Sequence, residues 1–295
     1  MLARLAQAAR HYLLAVQFFT RIPITGRLAA WVGYSPTMLR ASAAHFPGVG
    51  WLVAAVAMAV YGVLWWVLSG APVIPLGFGA AAAAQPTVVP AALVAAVFST
   101  IATALLTGGF HEDGLADVAD GLGGTSGLAS QRDRALEIMK DSRIGAFGAM
   151  ALVLALLAKI TLLAFLGSHS LLPALAGLLG AHLLSRFCPL LLVRALRHVG
   201  DTAQSKSKPL ADRISRSALA AAFIWCLIPL AAVFAVQGAI YLIVGTALAA
   251  LAALYMGRLF AQRLQGFTGD CLGATQQVCE IAFYLGAAIA VAGVR

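Results

Sequence analysis

The sequence predicts an all-α, polytopic integral membrane protein with about seven transmembrane helices and a cytoplasmic N-terminus. Hydrophobic residues make up 61% of the 295-residue chain and charged residues only 11%, whereas about a quarter of the residues in a typical soluble domain are charged. The basic residues also lie almost entirely in alternate loops between the apolar stretches, as expected when cytoplasmic loops retain Lys and Arg. We therefore expect residues 1–295 to form a single membrane-embedded domain.

Seven apolar stretches are long enough to cross the hydrocarbon core, which requires about 20 helical residues because the backbone finds no water there. They cover residues 47–69, 88–110, 144–166, 171–193, 218–235, 238–256 and 276–294. The segment 70–87 that connects the first two is rich in Gly, Ala and Pro and carries no charge, which is typical of an external linker.

The basic residues give an independent test of this division. Seventeen of the 20 lie in segments 1–46, 111–143, 194–217 and 257–277, and none lies in the alternate loops 70–87, 167–170 and 236–237. This asymmetry predicts that the N-terminus and segment 111–143 are cytoplasmic and that the C-terminus is external. The formal charge of +9 then reflects orientation in the lipid bilayer, and we expect no nucleic-acid partner.

The N-terminal segment 1–46 is expected to be cytoplasmic or interfacial. Residues 8–20 have the pattern of an amphipathic helix that lies along the membrane surface, and the Arg-Ile-Pro sequence from Arg21 ends it. Five arginines before residue 41 and the lack of a small-residue cleavage site argue against a removable signal peptide. The four cysteines have neither zinc-site nor CxxC spacing, so we expect them to be reduced packing residues.

The stretch GGFHEDGLADVADGLGG, residues 108–124, holds four of the 11 acidic residues of the chain. Asp113, Asp117 and Asp120 follow the spacing i, i+4 and i+7, which places them on one face of a helix. Like charges so arranged repel one another, and hard carboxylate oxygens favour Mg²⁺ or Mn²⁺ over zinc or copper. The alternative is that they are solvated juxtamembrane charges or helix caps.

A second acidic pair, Glu137 and Asp141, also has i, i+4 spacing and is followed by Arg143. We expect the two acidic helical faces to converge on one site, so that 111–143 forms a cytoplasmic catalytic loop. His111 precedes the set, where it could act as a general acid or base, donate to a phosphate, or cap the preceding span. Glu112 and Asp133 are expected to be merely solvated.

Three further charged residues are candidates for binding the substrate. Lys159 and Arg186 lie inside predicted spans, where a basic residue is costly and usually faces a partner or a hydrated cavity. They are therefore candidates for phosphate binding or for pairing with the acidic residues, although Lys159 could instead extend to the membrane surface. Asp270, in the sequence TGDCLGA, is either a ligand-binding residue or part of a helix cap.

Two family patterns are similar to these motifs. Asp117-x-x-Asp120-Gly followed by Glu137-x-x-x-Asp141 is similar to the signature of CDP-alcohol phosphotransferases, but the Ala-Arg pair of that signature is missing, the interval is one residue shorter, and Glu137 replaces Asp. A more extensive match is carried by FFTRIP, HFPGVG, GGFHEDGLADVADG, RALEIMKDSRIGAFG, Ser185-Arg186 and TGDCLGA. These ordered motifs resemble the cobalamin synthase family, the adenosylcobinamide-GDP ribazoletransferases, over nearly the whole chain.

The resemblance implies a Mg²⁺-dependent, multi-pass enzyme of the bacterial inner membrane with a cytoplasmic active site. It would join adenosylcobinamide-GDP to α-ribazole or α-ribazole 5′-phosphate and release GMP. The magnesium ligands would then come from a set of five carboxylates, namely Asp113, Asp117, Asp120, Glu137 and Asp141. Asp141 is the expected base by analogy with the phosphotransferase signature, with His111 as a second catalytic residue. Candidate substrate contacts are Arg143, Lys159, Arg186 and Asp270.

Two other classes compete with this reading. A membrane prenyltransferase would also bind a magnesium diphosphate with Asp-rich motifs, but on separated helix pairs. A transporter would show internal pseudo-symmetry and polar, broken helices at mid-membrane. The sequence leaves open the oligomeric state, including a homo-oligomer, and any role of loop 197–217 beyond a basic contact with the nucleotide.

Overall fold

The computed structural model describes residues 2–70, 87–125, 131–200 and 214–293, and within these ranges the chain is helical and has no β-strand. The all-α prediction is confirmed. The helices are α1 Leu2–Phe19, α2 Gly26–Val32, α3 Pro36–Ser42, α4 Phe46–Ser69, α5 Val88–Thr107, α6 Phe110–Gly123, α7 Gln131–Ile138, α8 Ala146–His169, α9 Leu171–Ala195, α10 Arg216–Arg263 and α11 Gly269–Gly293, with a 3-10 turn at Ala43–His45 between α3 and α4.

Six helical stretches in the described ranges are long and apolar enough to cross a bilayer, in agreement with a polytopic membrane protein. The longest, α10, has 48 residues and is interrupted at Gly238, whose φ of 81° is non-helical. Ala222 near its start and Leu264 just beyond its end belong to the same buried cluster. A straight helix of this length, at 1.5 Å per residue, could not bring both ends to one cluster. The chain therefore folds back at Gly238, and α10 supplies the two predicted spans 218–235 and 238–256.

The membrane helices pack closely where small residues let their backbones approach. α9 is the most buried span and contacts α4, α8, α10 and α11. Gly286 of α11 packs against α10, where an added Cβ would lie 2.6 Å from the carbonyl oxygen of Val244. Gly50 of α4 faces α9 in the same way, since its Cβ would lie 2.7 Å from the carbonyl oxygen of His182.

The predicted amphipathic N-terminal helix is present as α1. Its apolar face, which includes Leu14, Val16 and Phe19, packs into a buried cluster with the start of α4. Thr20 continues from the helix and donates its hydroxyl to the carbonyl of Val16 at 2.7 Å. This helix positions the following residues, from Arg21 onward, beside the turn between α5 and α6.

Some predicted boundaries differ from the structure, and two of them bear on the site. The span predicted at 88–110 ends at Thr107, because Gly108 and Gly109 both take left-handed conformations with φ of 71°, and α6 begins there as a separate helix. The last span begins at Gly269, seven residues earlier than predicted. All four cysteines are buried and unpaired, as expected. Residues 71–86 of the predicted linker and 201–213 of the basic loop lie outside the described ranges.

Candidate active site

The acidic face of α6 meets the first turn of α11. Asp113, Asp117 and Asp120 lie along α6 as the 3.6-residue periodicity predicts. Gly114 on this helix packs directly against Asp270, where an added Cβ would lie 2.8 Å from the carbonyl oxygen of that residue. The structure thus joins Asp270 to the three predicted carboxylates, and we call these four residues the acidic cluster.

Electrostatic coupling within the acidic cluster is strongest at Asp117. Burial, followed by the carboxylates of Asp270, Asp113 and Asp120, raises its pKa from 3.8 to about 7. The side chain is half-buried. A carboxyl group in such surroundings resists ionisation unless a cation compensates the charge. A bound cation would relieve this repulsion.

Asp120 has a second, structural set of contacts. One carboxylate oxygen accepts the backbone N–H of Gly145 at 2.7 Å, and the other accepts that of Gly148 at 2.8 Å. These amides belong to the start of α8, where free N–H groups need acceptors and a negative charge is favoured. An added Cβ at either glycine would overlap the carboxylate. Asp120 therefore ties α6 to the N-terminus of α8.

Glu137 and Asp141 pair with arginines of their own segment and not with residues of the acidic cluster. α7 ends at Ile138, so the helix that would place the two residues on one face stops before Asp141. Glu137 is exposed and pairs with Arg134 at 2.7 Å. Asp141 pairs with Arg143 at 2.6 Å, and hydrogen bonds from this residue lower the pKa of Asp141 to about 2. The expected convergence of two acidic helical faces is not seen, because each of these carboxylates is neutralised by an arginine in its own segment.

The donor chemistry of the acidic cluster fits a hard divalent cation, which prefers carboxylate oxygens. Its side chains are not yet gathered around one point, since across the described ranges no three Asp, Glu, His or Cys side chains are close enough to hold an ion together. Asp113 is exposed and Asp117 is half-buried, so both side chains have room to reorient. The oxygen donors of these carboxylates would therefore suit a magnesium ion.

His111 is enclosed by protein at the start of α6. Its ring stacks on Phe46 with centroids 5.8 Å apart, and its Nε2 has no hydrogen-bond partner within the described chain. Burial and then the charge of Arg186 lower the pKa of His111 well below 6.5, so the imidazole is neutral. Its ring also lines a small apolar cavity with Phe18 and Phe110.

The two intramembrane basic residues belong to a buried polar network rather than to an open site. Lys159 of α8 forms an ion pair with Glu280 of α11 at 2.6 Å, and both side chains are nearly inaccessible to solvent. Arg186 of α9 donates to the carbonyl of His182 at 2.9 Å. Lys159 and Arg186 are therefore closed off from a soluble substrate in this conformation.

Glu280 lies at the centre of the network, and its pairing with Lys159 was not predicted from the sequence. It accepts hydrogen bonds from Gln276 at 2.7 Å and from Tyr284 at 3.2 Å, in addition to the pair with Lys159. A signal was available, because Glu280 is the acidic residue inside the last apolar stretch and two basic residues lie inside others. Buried charges in a membrane are usually paired.

Glu112 was predicted to be solvated, and that prediction is wrong. Its Oε1 accepts a hydrogen bond from Gln277 at 3.0 Å, and its Oε2 is buried. The cause is the close packing of α6 on α11, which turns this side of α6 toward protein instead of water. Asp133, by contrast, is 82% exposed and pairs with Arg132 at 2.8 Å.

An open cleft of about 680 Å³ lies between the end of α1 and the turn joining α5 to α6. The residues that line it include Gln17, Thr20, Arg21, Thr107, Gly108 and Asp113. Phe18 and Phe110 line both this cleft and the apolar cavity beside His111. The cleft therefore connects the acidic cluster, through Asp113, with the surface of the protein.

A family model described as cobalamin-5-phosphate synthase matches residues 11–288, which include every residue of the acidic cluster and of the cleft. The chain belongs to the cobalamin-5-phosphate synthase family. All four candidate regions of this synthase family member lie inside the matched range: the acidic cluster, the cleft, segment 131–143 and the buried polar network.

Curated relatives agree with the family assignment. A protein of Polaromonas sp. (strain JS666 / ATCC BAA-500) named adenosylcobinamide-GDP ribazoletransferase is 59% identical over 97% of this chain and 98% of its own length. Proteins of the same name are 43% identical in Leptothrix cholodnii, over 97% of both chains, and 39% identical in Shewanella amazonensis, over 93% of both chains. No solved structure matches the chain.

Proposed function

We propose that this synthase family member is an adenosylcobinamide-GDP ribazoletransferase that acts at the acidic cluster. The donor is adenosylcobinamide-GDP, the acceptor is α-ribazole or its 5′-phosphate, and GMP is released. The observation that carries the proposal is the packing of the acidic α6 on the first turn of α11 beside an open cleft, in a chain 59% identical to a relative of that name.

The reaction transfers the phosphoryl group on the cobinamide side of the diphosphate. A bond forms between the hydroxyl oxygen of the ribazole and this phosphorus, while the bond from the phosphorus to the bridging oxygen breaks and GMP leaves. Magnesium, when bound, supplies positive charge that neutralises the diphosphate. Asp113, Asp117 and Asp270 are the residues that would hold it, because their carboxylates are electrostatically coupled and Asp113 lines the cleft.

The acceptor proton requires a carboxylate base, and Asp141 is the proposed one. Asp141 and Arg143 are both accessible to substrate, and the basicity of Asp141 would rise when Arg143 exchanges it for a phosphate oxygen. Arg143 is a proposed phosphate contact, since its guanidinium can exchange one carboxylate partner for a phosphate oxygen. His111 would face the substrate from the wall of the apolar cavity.

Lys159 and Arg186 act in this proposal as positioning residues. Their polar network joins α8, α9 and α11 through Glu280, and α11 also carries Asp270. The proposed localisation is the bacterial inner membrane with the acidic cluster facing the cytoplasm, in line with the distribution of basic residues.

The test is GMP release by the purified protein supplied with both substrates, with and without Mg²⁺. Turnover should require both substrates and the divalent ion, and Asp117→Asn should reduce it by a factor of about 100 or more, as expected for loss of a group that acts on the transition state. Asp133→Asn removes an exposed carboxylate outside the acidic cluster and should leave the rate unchanged. Equal rates for both variants would contradict the proposed site.

A further inference from the structure

The open cleft contains one charged group to which neither the sequence motifs nor the acidic cluster gives a role. Arg21 lies on the cleft wall between the end of α1 and the glycine turn that precedes α6. Asp113 lines the same cleft. The volume of the cleft, about 680 Å³, lies within the range of about 300–1,000 Å³ that is usual for small-molecule sites.

The backbone around Arg21 is fixed from both sides. Its N–H donates to the carbonyl of Leu106 in α5 at 2.7 Å, and the following N–H of Ile22 donates to the hydroxyl of Thr20 at 3.1 Å. The side chain then passes over Gly108, where an added Cβ would overlap the Nε of Arg21. The absence of a side chain at this glycine is what lets the guanidinium lie along the cleft wall.

The guanidinium of Arg21 is exposed and has no hydrogen-bond or ion-pair partner among the residues that the structure describes. Exposed arginines of segment 131–143 are paired, as Arg143 is with Asp141 and Arg134 with Glu137. Arg21 shares the cleft with Asp113, yet the two form no ion pair. A planar guanidinium that is held in place but unpaired is suited to bind a phosphate group with two parallel hydrogen bonds.

We propose that the cleft is the binding site for the diphosphate of the nucleotide-linked donor and that Arg21 is its phosphate ligand. The inference rests on the proposed function for the identity of the donor. The diphosphate would lie between the guanidinium of Arg21 on one wall and the carboxylate of Asp113 on the other. The carboxylate side would contact it through the divalent cation, whereas Arg21 would contact it directly.

Direct binding of inorganic pyrophosphate tests this role without turnover. The affinity of the purified full-length chain in phosphatidylcholine nanodiscs, with Mg²⁺ present, is measured by titration calorimetry. Arg21→Gln should weaken binding by about 10- to 100-fold, the loss expected for hydrogen bonds to a charged group, and should raise KM for the donor more than it lowers kcat. Arg27→Gln removes the same charge from helix α2, outside the cleft, and should change the affinity less than about 2-fold.

The two glycines of the turn provide a matched pair that leaves Arg21 itself in place. Gly108 and Gly109 both have φ of 71°, so alanine introduces the same backbone strain at either position. A Cβ at Gly108 would displace Arg21, whereas a Cβ at Gly109 would meet no atom within 4 Å. Gly108→Ala should therefore weaken pyrophosphate binding clearly more than Gly109→Ala. Equal effects of the two alanines, or of Arg21→Gln and Arg27→Gln, would overturn the proposal.

A lipid headgroup could present the same phosphate chemistry from the bilayer, and the lipid composition separates the two sources. If the site takes a soluble diphosphate, replacing half of the phosphatidylcholine by phosphatidylglycerol should change the pyrophosphate affinities of the wild type and of Arg21→Gln by the same factor. Competition by phosphatidylglycerol that disappears in Arg21→Gln would overturn the proposal. Arg21-dependent pyrophosphate binding without GMP release would support the diphosphate site in the cleft but refute the proposed function. Normal GMP release by the wild type, with pyrophosphate affinity unchanged in Arg21→Gln, would support the proposed function but refute the diphosphate site.

Discussion

Asp117 and Asp120 are three residues apart on α6 and were expected to have the same role. Asp117 lies among other carboxylates, and burial together with these charges raises its pKa to about 7. The carboxylate of Asp120 instead accepts two backbone N–H groups at the start of α8. Two identical side chains on one helical face therefore have different roles because their surroundings differ. The spacing of residues in the sequence does not predict those surroundings.

The raised pKa of Asp117 makes the metal-free protein sensitive to pH. The folded state holds this proton up to about pH 7, while the unfolded chain loses it near 3.8, so stability falls as the pH rises between these values. Asp117→Asn cannot ionise and should melt at the same temperature as the wild type near pH 4 but at a higher temperature at pH 8, both measured in EDTA. Asp133→Asn, at an exposed position, should show no such crossover, and a uniform loss at both pH values would contradict the argument.

The two N–H contacts of Asp120 predict that its replacement destabilises the protein, whereas replacement of Asp117 stabilises it at pH 8. Asp120→Ala leaves the amides of Gly145 and Gly148 without their acceptor and should lower the free energy of unfolding by about 1–3 kcal/mol, the range for lost caps and for buried unsatisfied donors. Thermal melts in detergent at pH 8 measure this against Asp117→Ala, which should not destabilise the metal-free protein. A neutral Asp120→Ala would show that the bond to α8 is dispensable.

At the scale of the element, glycines decide how closely the helices approach. Gly286 lets α11 lie directly against the backbone of α10, with the carbonyl of Val244 2.6 Å from where a Cβ would be. Gly257 of α10 is also helical, but its Cβ would lie 3.9 Å from Leu192, an ordinary contact. Two glycines with the same helical conformation therefore differ in the packing that they permit.

This difference predicts unequal effects of alanine. Gly286→Ala should lower the melting temperature, because overpacking at a helix contact costs about 1–3 kcal/mol. Gly257→Ala should leave it unchanged or raise it, because alanine favours the helix by up to about 1 kcal/mol. Melting of both variants in the same detergent measures the contrast, and a stabilised Gly286→Ala would mean that the two helices are free to separate.

Hydropathy and charge predicted most elements but not their contacts. The spans follow from apolar length, and Gly238 was correctly placed at the boundary between two of them. The fold-back of α10 and the early start of α11 required tertiary packing. For the same reason Asp270 could not be joined to Asp113 and Asp117 from the sequence, since Gly114 brings it there across more than 150 residues of chain.

At the scale of the whole molecule, the network around Glu280 joins three membrane helices. Its carboxylate is held by Lys159 of α8, and Arg186 of α9 lies in the same buried region. These charges lie between the spans, and Glu280 is on the same helix as Asp270 of the acidic cluster. A buried pair of this kind fixes the relative positions of helices more than it adds to stability, because desolvation offsets the attraction between the charges.

A double variant tests whether Lys159 and Glu280 depend on each other as an ion pair. Glu280→Gln leaves the ammonium of Lys159 buried without its counter-charge and should destabilise the protein by about 3–5 kcal/mol. Lys159→Met combined with Glu280→Gln removes both charges and should melt closer to the wild type than Glu280→Gln alone. Thermal unfolding in one detergent compares the three proteins. Additive losses in the double variant would contradict the pairing.

The membrane fold, in this account, brings Asp270 of α11 to the carboxylates of α6 so that together they hold a divalent cation and the diphosphate of the donor. Binding of Mn²⁺, followed by electron paramagnetic resonance on the purified protein with inorganic pyrophosphate, tests this most directly. Asp270→Asn and Asp117→Asn should each weaken Mn²⁺ binding by a factor of about 10 or more, while Asp133→Asn should bind Mn²⁺ as the wild type does. Unchanged Mn²⁺ affinity in Asp270→Asn, with loss in Glu137→Gln or Asp141→Asn instead, would contradict it.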